Sequence, residues 1–358
     1  MLTKKVIIFG PFVGEFGWEL LFWQGWVKKA CREMYVDYYK VAVSYPGREP
    51  FYPDVDEFIP LPDYLVSKGL SARNYICDGW IDGYPGSALR YRWSFITALK
   101  DVIQGRRPHK IAIEKKWDGP SIFPLVTTFC DELNQKFSNK GHVQFISPWR
   151  MNEVGDLHFG WRNPNDLKLF GRPSNVIKIE FEDQILERIR PTGGHKFQSL
   201  DSKSKVAVFP RRRGFRREDK NWGEEKYRKL INLLQDSGYE VAILGDKNGA
   251  YFVNNPPKGV IDLVNIKDND RLNSHLQYLT TANYAIGAMS GATLMSLAAG
   301  TPTVIFGYPD EQMRYHHENY LDTPLFYVSE INPAVNEVID ALKKLDTYLN
   351  WRPIRDLI

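Results

Sequence analysis

Short apolar runs alternate with longer stretches of helical period along this 358-residue chain. Val6-Ile-Ile-Phe9 opens the series, and Val41-Ala-Val-Ser44 continues it. Similar runs recur at 111–113, 206–209, 241–244, 259–263, 284–286 and 303–306. Each is branched or aromatic and bounded by Gly, Pro or charged residues, which predicts buried strands. Between them, apolar residues recur at helical spacing over 18–31, 93–103, 123–137, 183–189, 224–237, 271–280, 293–299 and 332–349. The stretch 46–62, rich in Pro, Tyr and acids, reads as a long surface excursion, and 148–173 as irregular. The polar stretch 191–205, with Gly193-Gly194, is the best candidate for a domain boundary.

Strands that alternate with helices predict an α/β fold with a mainly parallel sheet, clearest after residue 203. Ligands of such sheets bind at the carboxyl ends of the strands, so loops 10–17, 210–222 and 287–293 are the places to look. In 284–307 a strand meets a turn of small residues (Gly287, Ser290, Gly291, Ala292) and then a helix. Such a turn exposes backbone N–H groups at the positive end of a helix dipole, which suits a phosphate or pyrophosphate. The same residues also suit a βαβ crossover whose glycines only permit close packing.

Composition narrows this little. Hydrophobic residues at 43% and charged residues at 25% make the chain globular rather than disordered. Aromatics at 14% serve cores first and carbohydrate or base sites second. A net charge of +4 favours an anionic ligand without demanding nucleic acid. Cys31, Cys77 and Cys130 are odd in number and far apart, as free thiols of a reducing compartment would be. No Cys/His spacing suggests a metal. The N-terminus lacks the pattern of a signal peptide, and no run reaches the roughly 18 apolar residues of a membrane span. A cytoplasmic protein, able to rest on a membrane, is the expectation.

Candidate chemistry gathers in two loops and the turn. Pro210-Arg-Arg-Arg-Gly-Phe-Arg-Arg-Glu-Asp-Lys220 holds five arginines and a lysine, groups matched to phosphate oxygens. A solvated basic loop is the alternative for any single arginine. Glu15 lies between Gly14 and Gly17, where a carboxylate can point into a cleft as a general base or simply favour a helix dipole. His316 and His317, with Asp310, Glu311 and Arg314, read as a polar surface loop. No Ser-His-Asp set, Gly-x-Gly-x-x-Gly or Walker A pattern is present.

Three segments, in order, resemble the bacterial heptosyltransferase family. The segment 13–20, Val-Gly-Glu-Phe-Gly-Trp-Glu-Leu, is similar to its N-terminal Gly-Asp loop. The segment 219–231 resembles its acidic-Lys-x-Trp-Pro-x-x-x-Trp stretch. The segment 290–303 is similar to its Ser-Gly-Pro-Met-His-Leu-Ala-Ala-Ala-Leu-Gly-Thr-Pro-Thr and is the most specific of the three. Met289 stands where the family has an acid, and Leu294 where it has a histidine. Arg212-Arg213-Gly214 also resembles the Arg-Arg-Gly of fucosyltransferase-type GT-B enzymes, with Pro210 in place of their histidine.

The resemblance implies a GT-B glycosyltransferase, with two Rossmann-like domains facing a central cleft. It implies an acceptor-binding domain over 1–190, a nucleotide-sugar domain over 203–330 and a helical segment over 331–358. Glu15 would be the catalytic base. Arg212, Arg213, Lys220, Ser290, Gly291, Ala292 and Thr293 would bind the donor diphosphate. Transfer would need neither metal nor cofactor and would be inverting. Trp18, Phe22, Trp80 and Trp93 would shape the acceptor side. The acceptor would be a glycan or lipid-linked saccharide, with a modified base in DNA as the lesser option. A nucleotide-sugar epimerase or hydrolase on the same scaffold, or a glycan- or polyanion-binding module without catalysis, are the alternatives.

Overall fold

The computed structural model describes residues 5–13, 16–66, 90–92, 95–103, 111–113, 123–146, 183–193, 203–213 and 218–351. They fall into two compact units. The first takes Met1–Glu15, Trp26–Tyr45 and Asp54–Asp183; the second takes Phe16–Gly25, Pro46–Pro53 and Gln184–Ile358.

In the first unit, strands β1 (Val6–Phe9), β2 (Tyr39–Ser44), β3 (Glu57–Pro60) and β6 (Val143–Ile146) form a parallel sheet in the order β3-β2-β1-β6. Helix α2 (Phe123–Phe137) covers one face, where Val126, Phe129, Leu133 and Phe137 pack with Val6, Ile8, Val41 and Val43. Residues buried on both faces explain why β1 reads as an unbroken apolar run. Two further strands, β4 (Arg90–Arg92) and β5 (Ile111–Ile113), pair antiparallel, and helix α1 (Phe95–Ile103) lies between them in sequence. The predicted 148–173 stretch lies outside the described residues, as do Cys77, Trp80 and Trp93. Cys31 and Cys130 are buried and not joined in a disulfide, and burial pushes both thiols up to about 12.

Helical structure runs from 16 to 34 rather than 18 to 31, with wide π turns at Glu19–Trp23 and Ala30–Met34. The 46–62 surface excursion does not form. Pro50, Phe51 and Tyr52 are buried, and β3 adds a strand to the sheet. Composition misled here because Pro and Tyr mark loops only when nothing packs on them. The predicted helix at 183–189 is also absent: 185–190 has no regular secondary structure, and its Ile189 N–H donates to Ala298 O at 3.0 Å. Docking to a neighbour outweighed seven residues of helical spacing.

The second unit is a six-stranded parallel sheet. Its strands are β7 (Lys205–Phe209), β8 (Glu240–Ile243), β9 (Ile261–Asp262), β10 (Tyr284–Ala288), β11 (Thr303–Phe306) and β12 (Leu325–Val328), in the order β12-β11-β10-β7-β8-β9. All neighbours are parallel, as the alternation predicts. Its helices are α3 (Glu224–Asp236), α4 (Asp268–Leu279), α5 (Gly291–Ala298), α6 (Gln312–His317) and α7 (Val335–Trp351). Tyr227, Leu230, Ile231 and Leu234 of α3 join Val335, Val338, Ala341 and Leu345 of α7 over Val206, Val208, Val241, Ile286 and Val304. The segment 309–317, expected as a loop, is a short 3-10 turn and α6, with both histidines exposed.

Candidate active site

The chain leaves β7 toward β8 on one side and, later, β10 toward β11 on the other. This reversal makes the β7–β10 boundary the switch point of the sheet, where diverging loops leave room for a ligand. Phe209 of β7 stands opposite Gly287 of β10, so the arginine loop and the small-residue turn leave adjacent strands at the same edge. Their neighbourhood, expected from the sequence, is what the structure shows. A Cβ at Gly287 would stand 2.8 Å from Thr293 Oγ1 and 2.9 Å from Phe209 Cβ, so only glycine lets the turn close.

Ser290 caps α5. Its backbone is extended, and its hydroxyl oxygen accepts the Thr293 N–H at 3.2 Å. The first backbone bond of the helix runs from Leu294 N–H to Ser290 O at 3.1 Å. The amides of Gly291 and Ala292 precede both partners and point outward from the first turn. Thr293 differs from expectation. It is fully buried, its amide serves the cap and its hydroxyl donates to Ala288 O at 2.7 Å. It fixes the shape of the turn from inside. Leu294 is buried, and Met289 is buried with its Sδ accepting the Tyr308 N–H at 3.3 Å. At both departures from the heptosyltransferase pattern the side chain thus belongs to the core.

Across the edge, Arg212 is exposed and Arg213 half-buried. The Arg212 N–H donates to Gly249 O at 2.8 Å, which ties the loop to the stretch after β8. Asn221, which carries no signal in the sequence, closes the loop. Its Oδ1 accepts from Arg211 Nη1 at 2.7 Å and from the Arg213 N–H at 2.9 Å, and its Nδ2 donates to Arg213 O at 2.7 Å. Arg211 is buried, and burial, then the charge of Arg213, lowers its guanidinium to about 10. The first arginine of the run is therefore a strut, whereas the guanidinium of Arg212 lies 5.7 Å from the centre of the Tyr251 ring. Lys220 lies in a 3-10 turn, its Nζ 5.6 Å from the centre of the Tyr308 ring. Next to it Trp222 is buried against Tyr227 and Phe306, and its Nε1 donates to Pro333 O at 2.8 Å. This anchor fixes where the lysine stands. Arg216 and Arg217 lie outside the described residues.

Gly14 and Glu15 also lie outside them, and the chain resumes at Phe16. There the second unit brings the turn Phe16–Trp18 onto α5. A Cβ at Gly291 would stand 3.1 Å from Gly17 Cα and 3.2 Å from Gly17 N. Two backbones meet where both residues lack side chains. Behind them Glu19 is fully buried: Tyr52 Oη donates to its Oε1 at 2.6 Å, and Arg48 Nε lies 3.8 Å from its Oε2. The Arg48 guanidinium also covers the Phe16 ring at 4.2 Å. None of these three was legible in advance, because each partner sits about thirty residues away. Phe22 is half-buried in the same helical run. Among the described residues no group of three His, Cys, Asp or Glu gathers as a metal site would, and no helix is long and apolar enough to cross a membrane.

Parallel sheets with helices between their strands and a ligand edge at the switch point define an α/β protein of the GT-B type. Residues 179–315 match Glycosyltransferase family 9 (heptosyltransferase), and the chain is a glycosyltransferase that resembles this family. The matched residues include both 219–231 and 290–303. The glycosyl transferase family 9 structure from Veillonella parvula DSM 2008 has a TM-score of 0.55 at 10% identity, covering 96% of this chain and 97% of that one. E. coli ADP-heptose lps heptosyltransferase II has a TM-score of 0.45 at 16% identity over 97% and 99% of the two chains. E. coli heptosyltransferase WaaC with ADP has 0.44 at 14% over 96% and 100%. No curated protein matches the chain.

Proposed function

We propose that the protein transfers a sugar from a nucleotide-sugar donor to a hydroxyl of a glycan or lipid-linked saccharide, with inversion and without a metal. The observation that supports this reading is the shared edge of β7 and β10, from which the arginine loop and the small-residue turn both leave. In the reaction, the acceptor oxygen attacks the anomeric carbon as Glu15 takes its proton. The bond from that carbon to the phosphate oxygen breaks, and its electron pair leaves with the nucleoside diphosphate. Arg212, Arg213, Lys220 and the amides of Gly291 and Ala292 meet the charge that appears there, the role a divalent cation fills elsewhere. Ser290 and Thr293 hold the amides in place through the cap. Phe16 and Gly17, the two residues that follow Glu15 in the sequence, rest on Gly291. DNA as an acceptor finds no support in the matched family.

A thermal-shift screen against UDP-, GDP-, ADP- and CMP-sugars tests the donor assignment, with an ADP-activated heptose first. A cognate donor at about 100 times its Kd adds about 2.7 kcal/mol of stability and raises the Tm by several degrees. Glu15→Gln should keep that shift while losing at least about a hundredfold in transfer. Normal turnover by this variant refutes the base. Full activity in a chelator is expected, and its loss refutes metal independence. Release of free nucleotide at the same rate with and without acceptor makes the protein a hydrolase instead.

A further inference from the structure

Helix α1 of the first unit is built inside out. Phe95, Ile96, Leu99, Val102 and Ile103 are exposed, Phe95 at 83% and Ile103 at 76%, whereas the helix's one acid, Asp101, is buried at 4%. At about 100° per residue, the five apolar positions form one continuous arc about 120° wide. Exposed Lys100 stands at the edge of that arc, and Asp101 lies on the opposite side. An ordinary surface helix has the reverse arrangement, so this face is made to be covered.

Charge indicates by what. The sequence from 90 to 110 carries Arg90, Arg92, Lys100, Arg106, Arg107 and Lys110 against Asp101 alone. That surplus of five positive charges exceeds the +4 of the whole chain. Aromatics cluster with it at Tyr91, Trp93 and Phe95. An outward apolar arc, cationic flanks and aromatic side chains are the composition of a helix that lies in a lipid headgroup layer. A second copy of the chain fits less well. A two-fold contact would set this basic segment against itself and repel. We propose that α1 docks the protein on an anionic membrane surface, with its apolar arc in the headgroup layer, where the surplus of basic residues in the sequence from 90 to 110 favours acidic lipids. This inference does not depend on the glycosyl-transfer reading.

Co-sedimentation of the full chain with phosphatidylglycerol–phosphatidylcholine vesicles tests it, with pure phosphatidylcholine vesicles alongside. Binding to the anionic vesicles is expected, weaker by at least about tenfold on pure phosphatidylcholine and falling as salt rises. Leu99→Asp and Ile103→Asp should each weaken it by about tenfold or more, with melting curves like those of the unaltered protein. Lys100→Glu, which leaves the apolar arc intact, should weaken it severalfold. Three results would overturn the proposal. One is no binding to anionic vesicles. Another is binding unaffected by both aspartates. The third is a concentration-dependent dimer that both aspartates dissolve.

Discussion

Helices α1 and α5 are close in length and similarly rich in apolar residues, yet they serve opposite ends. All of α5 from Thr293 to Ala298 is buried, and its only outward feature is a first turn made of Gly291 and Ala292. In α1 the large apolar side chains are exposed and the acid is inside. Composition is therefore silent about role. A short apolar helix packed beside two parallel strands holds its first turn in place, whereas one whose apolar arc faces outward offers that arc for contact.

One substitution pair tests this contrast most severely. Leu294→Asp places a charge in the closed core of the six-stranded sheet and should cost about 4 kcal/mol or more, read from urea unfolding. Leu99→Asp, the same chemical change in α1, should move stability by no more than about 0.5 kcal/mol. Equal costs would erase the distinction.

The next effect is a pH dependence of the second unit's core. His275 of α4 is buried, with Nε2 2.9 Å from Leu263 O. Burial first, then the positive charges of Arg271 and Arg48, lowers its pKa from 6.5 to about 4. The folded value lies below the unfolded one, so between these values the unfolded chain binds the extra proton. Stability should therefore fall by about 3 kcal/mol as the pH drops from above 6.5 to below 4. His275→Gln should flatten that part of the unfolding profile.

At the site, Arg213→Ala should weaken binding of the nucleoside diphosphate product about tenfold, the scale of one charged hydrogen bond. Calorimetry measures it. Asn221→Ala should weaken it less, and in proportion to how far Arg213 moves. Smallest is Ser290→Ala, which removes the cap of α5 and should cost about 1 kcal/mol in thermal unfolding.

Much of the fold was legible, and for a local reason. Strands such as 303–306 and helices such as 123–137 announce themselves by period, because their burial repeats along their own sequence. The positions of the arginine loop and the 290–293 turn at strand ends were legible too, since Gly, Pro and charged residues close each apolar run. Legibility failed where a partner far along the chain decided. Pro50 to Tyr52 looked like loop and are packed; 185–190 looked helical and is irregular, tied by Ile189 to the end of α5. Arg211 looked like its neighbours until Asn221 and burial took it. Thr293 looked like a ligand donor until its own turn used it.

Sequence by itself determined the alternation of strand and helix and the order of the arginine loop and the small-residue turn. Those are properties of windows a few residues wide. Only the tertiary structure decided which two strands stand side by side, which arginine becomes a strut and which apolar helix faces outward. Each of these depends on pairings across tens to a hundred residues, and burial, which sets their energy, exists only once the sheets have assembled.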